Sequence, residues 1–414
     1  MRRPSARWWL VGLAALAMGA AGTYQFAWSA VRGPLGARLG AGEAALGTVF
    51  TLFVLAQTLS QFPAGRYRDR HGPRRPLAAG GLLVAAGFGG VALAPSFPVA
   101  LAAYALGGVG SGLVYTVAVN TPVKWFTDRR GLATGVVTLS YSAASAPVIA
   151  FVGPNAGRDF AGTLLVVAAA TGAACLLGVP FLRDPADGER TAPADADGDG
   201  GADATPDGTA DAFGWRRTVR TWQFWVLFGV FFVVNGVGLM LIGKVVSLAV
   251  GLGLPAAVGT LAASTLAVAD GAGIAVVGGL SDRLGRERTV AASMTLAGLS
   301  LAGAVLFGPG NGAAFVALVG AAAFFRSPAF SVFPSLVGDY YGAARSSENY
   351  ALLYAAKVPG GVAGGTAASL LVAAAGWSAA FLLGAGLFVA AGLAAATLRP
   401  VRTDDRGPRP GSDP

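Results

Sequence analysis

The sequence predicts an all-α membrane protein in which twelve transmembrane helices form two six-helix bundles. Hydrophobic residues make up 54% of the 414-residue chain and charged residues only 12%, which is about half the charged fraction of a typical soluble domain. Twelve apolar runs are each long enough to cross a bilayer. A short basic motif also occurs at matching positions of the two halves, which indicates an internal duplication.

The twelve apolar runs define the expected helices and domains. They lie near residues 8–30, 44–65, 76–94, 98–120, 132–152, 160–182, 222–250, 255–279, 290–308, 313–337, 350–375 and 377–398. Each is close to the roughly 20 residues that one crossing needs. The only long connection separates six runs from six. We therefore expect bundles at 1–182 and 221–400, a linker at 183–220 and a tail at 401–414.

Two segments depart from the helical pattern at the ends of the first bundle. The first run follows several arginines, as in a signal peptide, but it continues through Phe26 and Trp28, so we expect a retained helix. The central linker carries nine acidic residues between Asp184 and Asp211 among Ala, Gly, Thr and Pro. It cannot bury a core, and we expect it to be disordered.

The basic residues indicate the orientation in the membrane. Of the 30 Lys and Arg residues, we place 24 in the termini and in the loops that follow even-numbered runs. Arg32, Arg38 and Arg158 fall in the opposite set of loops. The positive-inside rule then places both termini and the linker in the cytoplasm. Because the net charge of +9 is spread over short loops, it does not predict nucleic-acid binding.

The repeated motif occupies residues 65–75 and 278–288, where the second and eighth runs end. Each copy places an aspartate beside arginines that can pair with it or with lipid phosphate, and a glycine that permits a tight reversal. If the aspartate makes a contact in one conformation and releases it in another, the motif would gate the cytoplasmic side. The alternative is that the motif only anchors the loop on that side of the membrane. The expected gate residues are Gly65, Asp69, Arg70, Gly72, Gly278, Asp282, Arg283 and Gly285.

This repeated pattern resembles the signature loop of the major facilitator superfamily, which implies the major facilitator fold and a transporter. A narrower resemblance is carried by residues 124–135, 24–28 and 349–357, which look like segments of the oxalate–formate antiporter family and its relatives, the monocarboxylate transporters. The resemblance implies that Lys357 holds a substrate carboxylate.

The chain departs from that family at one position. The oxalate transporter pairs its lysine with an arginine in helix 8, where the matching residue here is Ile274. Monocarboxylate transporters carry an aspartate four residues earlier, which Asp270 matches. The resemblance therefore implies a monocarboxylate, or another small organic anion, rather than oxalate.

Four charged residues lie inside the apolar runs, all in the second half: Lys244, Asp270, Arg326 and Lys357. At 1.5 Å per residue, the last three lie about 15 to 21 Å from the cytoplasmic helix ends, near the middle of a ~30 Å hydrocarbon core. A buried charge is costly, so each is a functional candidate. Three cations against one acid leave a net positive cavity, for which an organic anion is the natural partner.

The four charged residues have distinct expected roles. Lys357 binds substrate, or instead forms a structural pair with Asp270. Arg326 contacts a substrate carboxylate, or else bonds a backbone carbonyl between helices. Asp270 is the candidate for proton coupling. Lys244 is expected to extend to the outer surface or to attract anions at the external entrance.

Neutral side chains are expected to complete the binding site. The candidates are Tyr24, Trp28, Gln57, Tyr141 and Tyr354, with Gln25 and Tyr115 also within reach of a central cavity. Tyrosine and glutamine offer hydrogen bonds, but on helices this apolar each is equally typical of packing. Prolines 122, 147, 328, 334 and 359 are expected to bend the fourth, fifth, tenth and eleventh helices.

The leading interpretation is a secondary transporter of small organic anions that works by alternating access, as proton symport or anion exchange. The alternative is an exporter of hydrophobic or cationic compounds, which would need intramembrane acids. No nucleotide-binding loop, metal cluster or nucleophile constellation is evident, so we expect neither an enzyme nor a cofactor. We expect a monomer in the plasma membrane, with the lipid bilayer, the organic anion and, for symport, protons as its partners.

Overall fold

The structure, a computed structural model, describes residues 5–126, 130–184, 213–342 and 346–400. Within these ranges all regular secondary structure is helical, as the sequence predicts. Most of the expected linker, residues 185–212, and the tail at 401–414 lie outside the described residues.

The described part of the first half contains eight helices. They are α1 (Ser5–Phe26), α2 (Trp28–Leu39), α3 (Glu43–His71), α4 (Arg74–Ala92), α5 (Phe97–Trp125), α6 (Arg130–Ala143), α7 (Ser145–Asn155) and α8 (Phe160–Gly178). The first crossing continues from α1 into α2 with a break at Ala27, so it is longer than its apolar run. The Asp159 side chain accepts a hydrogen bond from the Gly162 N–H and caps the start of α8.

Residues 213–342 and 346–400 of the second half form nine further helices and one π-helical turn. They are α9 (Trp215–Thr218), α10 (Trp222–Gly251), α11 (Ala256–Leu284), α12 (Arg286–Phe307), α13 (Gly312–Arg326), α14 (Ala329–Tyr341), α15 (Ser346–Tyr354), α16 (Lys357–Val362), the π turn Ala363–Ala367 and α17 (Ala368–Ala396). The Thr221 and Asn311 side chains cap α10 and α13 by accepting backbone hydrogen bonds.

Eleven segments of the described residues are long and apolar enough to cross a membrane, which confirms the all-α membrane class. The last segment, Leu352–Ala396, has 45 residues, about twice the length of one crossing. Gly376 interrupts it with φ 83° and ψ 171°, a conformation that favours glycine. The chain therefore changes direction within this segment.

Proline accounts for most of the expected bends. The fifth crossing breaks at Ala144, just before Pro147, and the tenth breaks at Ser327 and Pro328. The eleventh breaks ahead of Lys357, two residues before its proline. Proline lacks the N–H of a helical hydrogen bond and crowds the preceding turn, which explains these positions. Helices α5 and α14, in contrast, continue through Pro122 and Pro334 without a break, so a bend at these two prolines stays a prediction.

The two ends of the helix bundle can be told apart by their contacts. Trp9, near the start of α1, packs on Phe181 after α8, with ring centroids 4.9 Å apart. At the other end of the first crossing, Arg32 Nη1 donates to Ser247 Oγ in the last turns of α10 at 2.7 Å. Helices α1 and α10 therefore begin at the same end, which we call the terminal end, and the opposite end is the far end.

The two halves pack closely on the far-end side of the molecule. Helix α3 lies against the π turn and the start of α17, while α11 lies against α6 and α7. The halves approach closely at Gly365, where an added Cβ would lie 2.0 Å from Thr51 Oγ1 and 3.0 Å from the Gly47 carbonyl oxygen. Only glycine fits there.

This close approach predicts that Gly365→Ala destabilises the protein. Overpacking a tight contact typically costs about 1–3 kcal/mol. Gly386→Ala is a matched control, since a Cβ at Gly386 in α17 meets nothing within 4 Å. Thermal unfolding of both variants in detergent tests this prediction. Equal melting temperatures for Gly365→Ala and Gly386→Ala would show that the close contact at Gly365 does not contribute to stability.

Candidate functional site

A cavity of about 240 Å³ lies between the two halves. Its polar lining from the first half consists of Gln25, Tyr115, Thr138, Tyr141 and Ser142. Its polar lining from the second half consists of Asn235, Asp270, Arg326, Tyr350, Tyr354 and Lys357. Sites for drug-sized ligands usually measure about 300–1,000 Å³, so this cavity suits a ligand of few heavy atoms.

Lys357 begins α16 and points into the cavity. The residue is only 7% exposed. Its Nζ donates to Gln57 Oε1 at 3.3 Å and lies 5.7 Å from the centre of the Tyr354 ring. Among the described residues, no carboxylate lies within ion-pair distance of this nitrogen. A buried cation with only neutral partners is costly, and it is the natural place for an anion to bind.

Gln57 is held in place by a hydrogen-bond network of the first half. Its Nε2 donates to Ser111 Oγ at 3.0 Å and to Tyr141 Oη at 2.7 Å. The Tyr141 hydroxyl in turn donates to Gln25 Oε1 at 2.9 Å. Because both donors of the amide are used, its carbonyl oxygen is directed at the second half. The network thus fixes the acceptor that holds Lys357 across the interface.

Asp270 and Arg326 form a buried ion pair in the part of the cavity lining that the second half supplies. The Arg326 guanidinium also donates to the Val234 carbonyl at 3.4 Å and lies 5.8 Å from the Phe330 ring centre. A Cβ at Gly238 would lie 2.4 Å from Arg326 Nη1, so this glycine leaves the room that the guanidinium occupies.

The pairing decides between the alternatives that the sequence left open. Asp270 pairs with Arg326 rather than with Lys357, because α11 and α13, which carry the two partners, pack directly against each other. Arg326 lines the cavity, but its charge is already neutralised. Ile274, one helical turn after Asp270, also lines the cavity and adds an apolar surface there. Among the described residues that line the cavity, Lys357 is therefore the cation left for a ligand.

Tyr24 and Trp28 are located away from the cavity. Both are fully buried in an aromatic cluster, where Tyr24 lies 4.0 Å from the Phe88 ring centre and Trp28 lies 4.7 Å from that of Tyr104. They share a face of the first crossing that packs on α3, α4 and α5, whereas Gln25 faces the second half. The expectation that they contact substrate is not supported, since helical spacing alone does not tell which face meets the cavity.

Lys244 does not reach the outer surface, and that expectation is wrong. The residue is 1% exposed, and its Nζ lies 3.4 Å from Glu43 Oε1 and 2.5 Å from Ser369 Oγ. Glu43 also accepts from Arg32 at 2.5 Å. The sequence analysis placed Arg32 in a loop and gave Glu43 no role, because a charge near a helix end does not reveal its partner.

The repeated motifs end α3 and α11 at two strained glycines. Gly72 has φ 80° and Gly285 has φ 87°, so glycine is required for both reversals. Arg70 and Arg283 are exposed. The side chains of Asp69 and Asp282 lie outside the described residues, and their gating role stays a prediction. Gly65 and Gly278 lie within the helices, and a Cβ at Gly278 would meet Ser331 Oγ at 2.4 Å.

Asn235 and Tyr350 line the cavity but were missed by the sequence analysis. Asn235 Nδ2 donates to the Phe231 carbonyl one turn earlier, at 2.8 Å. A lone asparagine within the apolar helix α10 was a signal that could have been used. Tyr350 offered no such signal, because tyrosine is equally common at membrane interfaces.

A helical membrane protein with a charged cavity between two halves has the architecture of a secondary transporter. The sequence profile of the Major Facilitator Superfamily matches residues 10–261 and 233–414. The chain belongs to this superfamily and is a multi-pass transporter of the plasma membrane.

Relatives of known sequence support this membership. The oxalate:formate antiporter of Oxalobacter formigenes is 32% identical over 382 residues, which cover 91% of this chain and 88% of the antiporter. The MFS-type transporter YhjX of Escherichia coli (strain K12) is 27% identical over 338 residues, covering 80% and 79% of the two chains.

Two solved structures share the fold. A bacterial homologue of the human lysosomal transporter Spinster, in an inward-facing and unoccupied conformation, superposes with a TM-score of 0.71 at 15% identity and 95% coverage of both chains. The D-xylose–proton symporter gives a TM-score of 0.71 at 16% identity, covering 94% of this chain and 97% of its own.

Proposed function

We propose that this transporter moves small organic anions, with monocarboxylates as its preferred substrates, by alternating access. The observation that carries the proposal is Lys357, a buried cation whose polar partner is the neutral carbonyl of Gln57. A substrate carboxylate would add a charge-assisted hydrogen bond to this nitrogen, which has three donors, while Gln57 keeps the side chain in position. The similarity to the oxalate:formate antiporter supports an organic anion.

The charge balance favours an anion with a single carboxylate. Lys357 carries one positive charge, whereas the charges of Asp270 and Arg326 cancel. A dicarboxylate would need a second cation, and Arg326 could serve only by leaving Asp270 unpaired. Breaking a buried ion pair costs about 3–5 kcal/mol. We therefore expect monocarboxylates to be transported better than oxalate or malonate.

The same cavity argues against an exporter of hydrophobic or cationic compounds. Among the described residues that line it, Asp270 is the one carboxylate, and it is paired with Arg326 and not free to attract a cation. The cavity volume of about 240 Å³ is also small for such compounds.

Asp270 is the group that would distinguish proton symport from anion exchange. If it binds a proton, it releases Arg326 from the ion pair, and the guanidinium becomes available to the cavity. Coupling through this step predicts that an inward proton gradient drives anion uptake in the native protein and not in Asp270→Asn. Exchange predicts uptake that needs only an anion on the opposite side.

The topology that we propose has twelve crossings, with both termini in the cytoplasm. Gly376 divides the 45-residue final segment into the eleventh and twelfth crossings. The distribution of Lys and Arg favours placing the terminal end inside. We also propose two bundles, at 1–182 and 221–400, and a monomer as the transporting unit.

The Gln57 contact predicts a kinetic phenotype. Gln57→Leu removes the acceptor that positions Lys357, and a hydrogen bond to a charged group is worth about 1.5–3 kcal/mol. We expect the half-saturating anion concentration to rise at least about tenfold. Thr58→Ala is the control, since Thr58 Oγ1 bonds only to the Val54 carbonyl of its own helix. Equal transport constants for Gln57→Leu and the native protein would contradict this role.

Counterflow in proteoliposomes tests the proposal. Vesicles loaded with one unlabelled anion are offered labelled formate, acetate, lactate, pyruvate, oxalate or malonate. Saturable accumulation of a monocarboxylate supports the proposal. Accumulation of none of the six, together with transport of a hydrophobic cation, would favour the exporter.

A further inference from the structure

A second charged cluster lies at the far end, outside the central cavity. It comprises Arg32 and Glu43 of the first half and Lys244, Ser247 and Ser369 of the second half. Arg32 and Lys244 are each 1% exposed. Two cations against one carboxylate leave this buried cluster with a net positive charge.

One carboxylate oxygen collects most of the donors in the cluster. Glu43 Oε1 accepts from Arg32 Nη2 at 2.5 Å, from Ser369 Oγ at 3.3 Å and from Lys244 Nζ at 3.4 Å. Arg32 also donates through Nη1 to Ser247 Oγ at 2.7 Å. Arg32 Nε has no hydrogen-bond partner among the described residues. The cluster is therefore built to bind a carboxylate, and here the carboxylate belongs to the protein.

The cluster closes the far end. Between it and Lys357, the Thr366 N–H donates to Thr51 Oγ1 at 2.9 Å, and the two threonine hydroxyls lie 3.0 Å apart. Thr51 Oγ1 also lies 3.4 Å from the Gly361 carbonyl. The two halves thus touch from Glu43 to the level of Gly361, and a substrate leaving the cavity at this end has to separate these contacts.

We propose that Lys244 forms a second, outer binding site for the substrate carboxylate, which Glu43, held by Arg32, occupies while the far end is closed. This inference rests on the proposed function, because it takes the same class of anion as ligand. When the halves separate, Glu43 and Arg32 stay together in the first half, while Lys244 leaves with the second half and loses its counter-ion.

Glu43 is the member of the cluster best placed to give way. It is the first residue of α3, and its side chain is 22% exposed, whereas both cations are buried. A free carboxylate competes with Glu43 for Lys244. Because that carboxylate binds only the open arrangement, it shifts the equilibrium towards opening. The outer site would thereby couple the arrival of an anion to the release of the far end.

Disulfide formation between Thr51→Cys and Thr366→Cys measures closure of the far end directly. The Cys175→Ser background removes the single native cysteine, and the two threonine hydroxyls, 3.0 Å apart, show that the side chains of these positions meet across the interface. All measurements are made in the Lys357→Ala background, so that the central site does not contribute. Sodium acetate is the probe, compared with sodium chloride of equal ionic strength containing acetamide.

We expect acetate to slow the cross-link at least about fivefold, the lower end of typical ligand-induced coupling. Adding Lys244→Gln abolishes the acetate effect, whereas adding Arg158→Gln, which removes an exposed cation at the same end, preserves it. No slowing by acetate, or slowing that survives Lys244→Gln, would overturn the outer site.

A second variant guards against misfolding of Lys244→Gln. Glu43→Gln keeps the shape of the side chain and removes the competing charge, so the acetate concentration that gives half the effect falls. An unchanged concentration would also overturn the proposal. Counterflow by the native protein separates this result from the proposed function, since a transporter that moves acetate but shows no effect on the cross-link lacks only the outer site.

Discussion

Replacing Lys357 by alanine is expected to remove saturable anion transport. Truncating one partner of a buried charged contact typically costs about 2–5 kcal/mol, which corresponds to a loss of roughly 30-fold to several thousand-fold in transport efficiency. The effect is large because the other cavity cation, Arg326, is bound to Asp270 and cannot take over. Initial rates of counterflow at several anion concentrations measure it.

Two further variants make the Lys357 result specific. Tyr24→Phe is expected to transport normally, because the Tyr24 ring is packed outside the cavity and its hydroxyl has no hydrogen-bond partner among the described residues. Lys357→Arg keeps the charge and is expected to retain part of the activity. Unimpaired transport by Lys357→Ala would remove the lysine from the site and move the exporter hypothesis forward.

The second large effect concerns the Asp270–Arg326 ion pair. Asp270→Asn leaves a buried guanidinium without its counter-ion, and breaking such a pair costs about 3–5 kcal/mol. The double variant Asp270→Asn/Arg326→Gln removes both charges and is expected to recover much of the lost stability. The mechanism is electrostatic, so the double variant is more stable than either single variant.

Thermal unfolding of the two single variants and the double variant in detergent tests this coupling. Additive changes in melting temperature would show that the two residues do not stabilise each other. In folded Asp270→Asn protein, we also expect dicarboxylates to compete better with the transported monocarboxylate. Arg326 then faces the cavity as a second free cation.

The fold was largely predictable because membrane crossings are recorded in long apolar runs. A run of about 20 apolar residues leaves few alternatives to a spanning helix, since every backbone polar group must be satisfied within the bilayer. The resemblance of the repeated loops gave the family, which the profile match at residues 10–261 and 233–414 confirms. The boundary at Gly376 was also visible as the gap between the last two runs.

Pairing between helices was much less predictable. Depth along a helix follows from residue number, so Lys357, Asp270 and Arg326 were correctly expected at one level, and the structure places all three in one cavity. Which of them touch depends on the rotation and neighbours of each helix, which an apolar sequence does not encode at the level of single residues. The Asp270–Arg326 pair therefore required the structure.

The same limit explains the misplaced candidates. Tyr24 and Trp28 share a helix with the cavity residue Gln25, yet they turn towards the first-half core. Lys244 was expected at the outer surface but is buried, because it pairs with the carboxylate of Glu43, which belongs to a helix of the other half and could not be matched to it from the sequence. In both cases the position of the side chain is determined by contacts with segments that are distant in the sequence.

A structure determined with the transported monocarboxylate bound tests the central claim most directly. We expect a carboxylate oxygen at roughly 2.7–2.9 Å from Lys357 Nζ, the distance of a charge-assisted hydrogen bond, with the Asp270–Arg326 pair intact. A carboxylate bound to Arg326 instead, with Lys357 still on Gln57, would contradict it.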